Sequence, residues 1–323
     1  MFQVRVVTPT DLTDQVTKLI IDSPAAFDVT LLRHAGRAPL ADVVEFMLVR
    51  EGANAVVDQL RRLGLVDRGS IIMAPTEVVI SAAAEAAEAA VPGRPEDAVV
   101  WDELAARTRE DAQLSWSFLT FFSLAVILGA VGVVLDEPIL IVGAMVLGPE
   151  FGAISAVCFG LVRRELHRAG SAAMNVLLGF ASAIAITVLL ALVASELGWI
   201  EPTMLESRPR VAFAIYPDRW SFIVALLAGI AGMLSITSEK STSLVGVFIS
   251  VATIPAAANV SVSLALSAWD EVADSAAQLC LNLAGLLLAG TVTLLAQRIL
   301  WKRFGLAVPT GPAVAAAASG HSG

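Results

Sequence analysis

Pro138-Ile139-Leu140-Ile141-Val142-Gly143-Ala144-Met145-Val146-Leu147-Gly148-Pro149-Glu150-Phe151-Gly152-Ala153-Ile154-Ser155-Ala156-Val157-Cys158-Phe159-Gly160-Leu161-Val162 is an apolar stretch with one charged residue, Glu150, set beside the pair Gly148-Pro149. About 20 apolar residues cross the hydrocarbon core of a bilayer. The stretch is long enough, but Pro149 donates no backbone hydrogen bond and clashes with the preceding turn. The backbone groups that it frees cannot face lipid, so they must face protein or a wet cavity. A carboxylate at this depth costs roughly 2.5–3.5 kcal/mol on insertion scales, so Glu150 is expected to face the interior. It is either a structural hydrogen-bonding group at the kink or part of a site for a solute, ion or proton.

Five more apolar stretches lie around this one, giving spans at 116–135, 138–162, 171–194, 220–237, 243–266 and 275–298. Arg107 and Arg109 precede the first, Arg163, Arg164 and Arg168 follow the second, Lys240 follows the fourth, and Arg298, Lys302 and Arg303 close the last. Basic short loops stay in the cytoplasm, which predicts a multi-pass protein of the cell membrane with both termini inside. The third link, with Arg208, Arg210 and Arg219, runs against that pattern. The halves echo each other: Trp116-Ser117-Phe118-Leu119 against Trp220-Ser221-Phe222-Ile223, and Leu128-Gly129-Ala130-Val131-Gly132 against Ala228-Gly229-Ile230-Ala231-Gly232. Three crossings per half put the second half upside down. The expectation is a 3+3 inverted repeat, 116–194 and 220–298, within a membrane domain over 116–303. Pro149 breaks the second span and Pro255 the fifth. Interrupted helices in matching places of inverted halves point to a transport site. Gly148, Pro149, Glu150, Pro255 and Asn259 are therefore the candidate pathway residues. Asn175 and Asn282 read as helix–helix glue or a secondary site. Gly129, Gly132, Gly229 and Gly232 read as close-packing positions.

The chain has 323 residues, 57% of them hydrophobic and 16% charged, well off a soluble composition. Up to Ser115 there are 11 Lys/Arg and 18 Asp/Glu, while the longer remainder holds 10 and 12. An acidic, ordinary domain thus precedes a greasy one. A net charge of −9 argues against nucleic acid. The start, Met1-Phe2-Gln3-Val4-Arg5, alternates like a strand and shows no signal-peptide pattern. Strands at Phe2–Thr8, 27–33, 42–50 and 70–80, the last open to interruption at Pro75, with helices ending near Ile21 and over 53–63, give β-α-β-β-α-β, a ferredoxin-like plait over 1–80. Thr10 or Asp11 is the expected cap of the first helix. The plait is either a small-ligand regulatory module or an assembly and docking domain, and His34 reads as a loop histidine. Residues 81–115 read as a linker, broken at Pro92-Gly93-Arg94-Pro95, followed by a juxtamembrane helix over 101–113. Residues 304–323 read as a disordered tail. Cys158 and Cys280 both fall in apolar spans without metal or redox spacing, so no metal and no cofactor are expected.

At the broken spans the sequence resembles a bacterial family of uncharacterised hydrophobic-domain proteins, domain of unknown function 389. The resemblance rests on Ile141-Val142-Gly143-Ala144-Met145 leading to Gly148-Pro149, and on Ala228-Gly229-Ile230-Ala231-Gly232-Met233-Leu234-Ser235. It rests further on Leu244-Val245-Gly246-Val247 leading to Ile254-Pro255-Ala256-Ala257-Ala258-Asn259, and on Asn282-Leu283-Ala284-Gly285. It covers residues 115–298 and implies the same layout, a small α/β domain ahead of the spans, with Ser235 grouped with the packing residues. Family members often carry a second proline after the position of Pro255 and an apolar residue at that of Glu150, and this chain departs from both. The function expected is a channel or transporter for a small solute or ion, gated by the cytoplasmic plait. The alternative is a membrane-anchored ligand sensor or scaffold without transport. An enzyme is not expected, because no His, Cys or second acid stands near Glu150 in an apolar span. The expected partners are the lipid bilayer, a small solute or ion, and further copies of the chain in a homo-oligomer.

Overall fold

The computed structural model describes residues 1–91, 93, 98–205, 208–237 and 253–303. The chain divides into two compact units, Met1–Asp102 with Ile299–Gly323, and Glu103–Arg298.

In the first unit, alternation of apolar residues makes β1 (Phe2–Thr8) present Phe2, Val4 and Val6 to one side. It is followed by α1 (Thr13–Ile21), β2 (Ala26–Arg37), β3 (Leu40–Leu48), α2 (Arg50–Arg62), a one-turn α3 (Leu65–Arg68) and β4 (Ser70–Pro75). The sheet is antiparallel throughout, in the order β2-β3-β1-β4. Val16 and Ile20 of α1 and Val56 and Leu60 of α2 close over Phe2, Phe46 and Leu48. Each such side chain, once buried, contributes about 1.5–3 kcal/mol.

Four local expectations are corrected. Helix α1 starts at Thr13, and neither Thr10 nor Asp11 caps it. Asp11 is held by Arg68 at 2.9 Å, and Thr13 donates to Asp42 Oδ2 at 2.7 Å. His34 lies in β2, at positive φ, where the register with β3 is irregular. Its backbone N–H donates to Asp42 Oδ1 at 2.6 Å. The final strand stops at Pro75, the expected point of interruption, as a residue without an N–H would require, and it does not resume toward Ile80. Residues 81–91, expected as linker, contain a helix, α4 (Ala82–Ala90), capped by Ser81. Its Ala84 and Ala87, with Val91 and Val100, join the core of this unit. The Asn54 side chain ties the segment down by donating to Val99 O at 2.7 Å and accepting from Trp101 N at 3.1 Å.

The second unit is helical. After α5 (Trp101–Asp111) come α6 (Trp116–Val134), α7 (Pro138–Leu147), α8 (Glu150–Arg163) and α9 (Leu166–Glu196). A 3-10 turn (Pro202–Leu205) and a short α10 (Ala212–Ile215) lead to α11 (Arg219–Thr237). Then follow α12 (Ile254–Ala265) and α13 (Trp269–Arg303). Helices α6, α9, α11 and α13 are long and apolar enough to cross a membrane, and α7 with α8, bent by 54°, makes up to a fifth such span. The expected fifth stretch, 243–266, is described only from Thr253 onward. Lys240, the Leu244-Val245-Gly246-Val247 motif, part of the 92–97 linker and the tail 304–323 also lie outside the described residues.

The helix starts follow local chemistry. Ser115 Oγ accepts from Phe118 N at 3.0 Å, and Glu137 carries the start of α7 with Pro138 in its first turn. Phe122 packs edge-on against Phe180, ring centres 4.7 Å apart, holding α6 to α9. Helix α12 lies against both α6 and α9 and is buried from Ile254 to Ser263. Helix α8 meets α13. Cys158 Sγ lies 3.6 Å from Leu287 O, and Arg298 Nη1 donates to Val162 O at 2.7 Å. A Cβ on Gly290 would meet Met233 of α11 at 2.9 Å and Cys158 at 3.0 Å.

Candidate functional site

Both prolines stand at the start of a helix. Pro149 is the N-cap of α8, with Gly148 ending α7 in extended backbone, and Pro255 occupies the first turn of α12. A proline is tolerated there because the N–H it lacks has no intrahelical partner in any case. The two starts meet: Thr253, which caps α12, donates its hydroxyl to Glu150 Oε1 at 2.8 Å, and both residues are completely buried. Helix N-termini carry partial positive charge, so two of them flank this carboxylate. Beside the first break a cavity of about 400 Å³ is lined by Glu110, Asp111, Gln113, Ser115, Ser117, Gly148 and Pro149, among others. Burial pushes the Asp111 carboxyl above its ordinary range.

Asn259 sits on α12 one and a half turns beyond Thr253, and it serves a second cluster. Arg208, from the link between α9 and α11, is buried to 5% exposure. All three of its nitrogens are used: Nε donates to Leu205 O at 3.1 Å, Nη1 to Asn259 Oδ1 at 2.5 Å and Nη2 to Glu271 Oε2 at 2.7 Å. Asn259 Nδ2 donates to Ser275 Oγ at 2.7 Å and to Glu271 Oε2 at 3.1 Å. The Tyr216 hydroxyl donates to Glu271 Oε1 at 2.5 Å. Burial and the Glu271 carboxylate raise the Tyr216 phenol above its usual range, which keeps it a neutral donor. Leu205, Val211 and Ile215 of the link are buried in the helical core, and Asp136 accepts from Arg210 N and Val211 N at 3.1 Å each.

The structure thus joins Gly148, Pro149 and Glu150 to the start of α12, and routes Asn259 to Arg208 and Glu271. Asn175 donates to Ala112 O at 2.8 Å, fastening α9 to the chain just before α6. Asn282 is buried on α13. Gly129 admits α12, since a Cβ there would lie 3.0 Å from Ala258, and Gly132 admits Ile141. Gly229 packs on Leu286 and Ala289; Gly232 and Ser235 are buried on α11. Sequence reading missed Thr253, Arg208, Tyr216, Glu271 and Ser275. Glu271 and Arg208 sit among other charges in links and read as topology flanks. Tyr216, the sole tyrosine of the chain, was the available signal. Among the described residues no three His, Cys, Asp or Glu side chains gather to hold a metal ion.

Residues 145–288 match the model of a family described as Domain of unknown function (DUF389), the family that the broken spans resemble. An uncharacterized protein of Methanocaldococcus jannaschii is 25% identical over 213 residues, 66% of this chain and 62% of that relative. That relative is archaeal, which corrects the bacterial scope given to the family above. No solved structure matches the chain.

Proposed function

We propose that the protein is a membrane channel or transporter for a small solute or ion, with the N-terminal ferredoxin-like unit as its cytoplasmic regulator. The observation that carries this reading is the meeting of two buried half-helix starts through Glu150 and Thr253. Such starts offer backbone donors and a carboxylate at a point where a path can be opened or closed. The cavity at the first break, lined by carboxyl and hydroxyl groups together with Phe118, Phe121 and Phe151, supports it as one mouth. The reciprocal packing of α12 on α6 and α9, and of α8 near α11 and α13, supports a 3+3 inverted repeat, with each half-helix embraced by the other half. A six-crossing topology in the cell membrane, both termini inside, fits the basic loops. Arg208, the chief contrary charge, is buried and paired with Glu271, so it weighs little as a free loop cation. Assembly into a homo-oligomer belongs to the same reading, although Gly129, Gly132 and Gly229 pack within the chain.

Reconstituted liposomes screened for flux of ions and small solutes test the reading. Glu150→Gln keeps size and hydrogen bonding with Thr253 but removes the charge. The expected outcome is a folded variant with flux lowered at least tenfold or with a shifted pH profile. Wild-type flux and pH profile in the variant would remove Glu150 from the pathway. No flux in wild type across the screen would favour a sensor or scaffold.

A further inference from the structure

The face of α13 that meets α12 carries more polarity than the Arg208 cluster uses. Counting from Glu271, the residues four, seven and eleven positions on are Ser275, Gln278 and Asn282, the spacing of a single helix face. All three are buried, at 0%, 1% and 0% exposure. The bond from Asn259 to Ser275 sets that face against α12; Ser275 Oγ also donates to Ile215 O at 3.1 Å, which leaves it one lone pair for a further partner. Gln278 Oε1 has no hydrogen-bond partner among the described residues. Buried oxygens of native proteins are nearly always satisfied, and those without a protein donor mark a water or an ion.

The chemistry of the row narrows the choice. Its groups are amides, a hydroxyl and one carboxylate, with no sulfur and no imidazole, a donor set that suits a hard cation. The charged groups nearest it are Arg208 and Glu271 at one end of the row and Glu150, bonded to Thr253 at the start of α12, toward the other. Arg208 already balances Glu271. With that balance a single positive charge is better matched to the row than a double one. We propose that the interface of α12 and α13 holds a hard monovalent cation of sodium's size, with Gln278 Oε1 and Ser275 Oγ among its ligands. The proposal rests on the transport reading for its purpose, since it makes that cation the cargo or the coupling ion, but the binding itself is testable apart from flux.

The test is the thermal unfolding midpoint of the full-length protein in mild detergent, in sodium chloride against choline chloride at equal ionic strength. A saturable rise of roughly 2–4 °C is expected at sodium tenfold above half-saturation. Gln278→Leu, of similar volume, should abolish the rise. Where that variant does not fold, Ser275→Ala should shrink it. Equal midpoints in the two salts would overturn the proposal, even if the midpoint moved with pH, because protons would then be the ligand. An undiminished sodium effect in both variants would overturn the assigned site. Sodium stabilisation without flux of any solute would leave the cation site standing and sink the transport reading. Flux without sodium stabilisation would do the reverse.

Discussion

At the scale of single residues, the energetics concentrate on Arg208. A buried guanidinium is tolerable only when its donors and charge are answered, and Leu205, Asn259 and Glu271 answer them. Removing one partner of a buried pair costs about 3–5 kcal/mol. The cost here is lower, because the Glu271 side chain retains 21% exposure. Arg208→Gln is therefore expected to destabilise strongly, and Arg208→Gln with Glu271→Gln to destabilise less than the two single changes summed. A double-mutant cycle on detergent unfolding reads this directly, with a coupling of about 0.5–3 kcal/mol expected. Strict additivity would mean that the pair is incidental. Glu150 differs from Arg208 in kind. Its bond to Thr253 survives change to Gln, so its test is flux and not stability.

At the scale of elements, glycines decide how close the helices come. A Cβ on Gly229 would lie 2.9 Å from the backbone oxygen of Leu286 and 2.9 Å from Ala289 Cβ, and a backbone atom cannot swing aside. Gly229→Ala is expected to cost about 1–3 kcal/mol by overpacking. Gly170, in α9, has nothing within 4 Å of such a Cβ. Gly170→Ala should be neutral or stabilise by about 0.5–1 kcal/mol, since alanine loses less backbone freedom in a helix. Melting temperatures of the two variants in the same detergent compare them. Equal effects would show that close approach of α11 and α13 is unimportant. Both glycines sit in apolar helices, and nothing in the local pattern separates them. The difference is the partner helix.

At the scale of the whole molecule, the division into two units predicts that residues 1–102 fold alone. Their core holds Phe2, Phe46, Leu48, Val56 and Leu60, and it takes in Ala84, Ala87, Val91 and Val100 from the segment after the last strand. A fragment cut at residue 80 should unfold at lower temperature than 1–102 by circular dichroism. Equal midpoints would make α4 and its following residues passive. Acid should weaken the longer fragment through Asp42. Hydrogen bonds from His34 N and Thr13 Oγ1, and then the nearby cations, hold its folded carboxyl below the ordinary value of 3.8. A lowered folded value means a contribution present above the ordinary value and lost as pH falls through the folded one. In Asp42→Asn that acid-dependent loss should disappear.

Composition and periodicity determined the two-part layout, the long apolar helices and the break at Pro149, because hydropathy and proline chemistry are local properties. Strand β1 coincided with its expected bounds, Phe2–Thr8. The resemblance to the family was legible too, since it rests on short contiguous motifs around Pro149 and Pro255. Only the tertiary structure brought Thr253 to Glu150, 103 positions apart, and Arg208 to Asn259 and Glu271, 51 and 63 positions apart. It also folded α4 onto the first core. Pairings of this kind depend on how helices cross and how a link folds back. Neither is encoded in any one window of sequence, so charges that read as loop flanks proved to be a buried network.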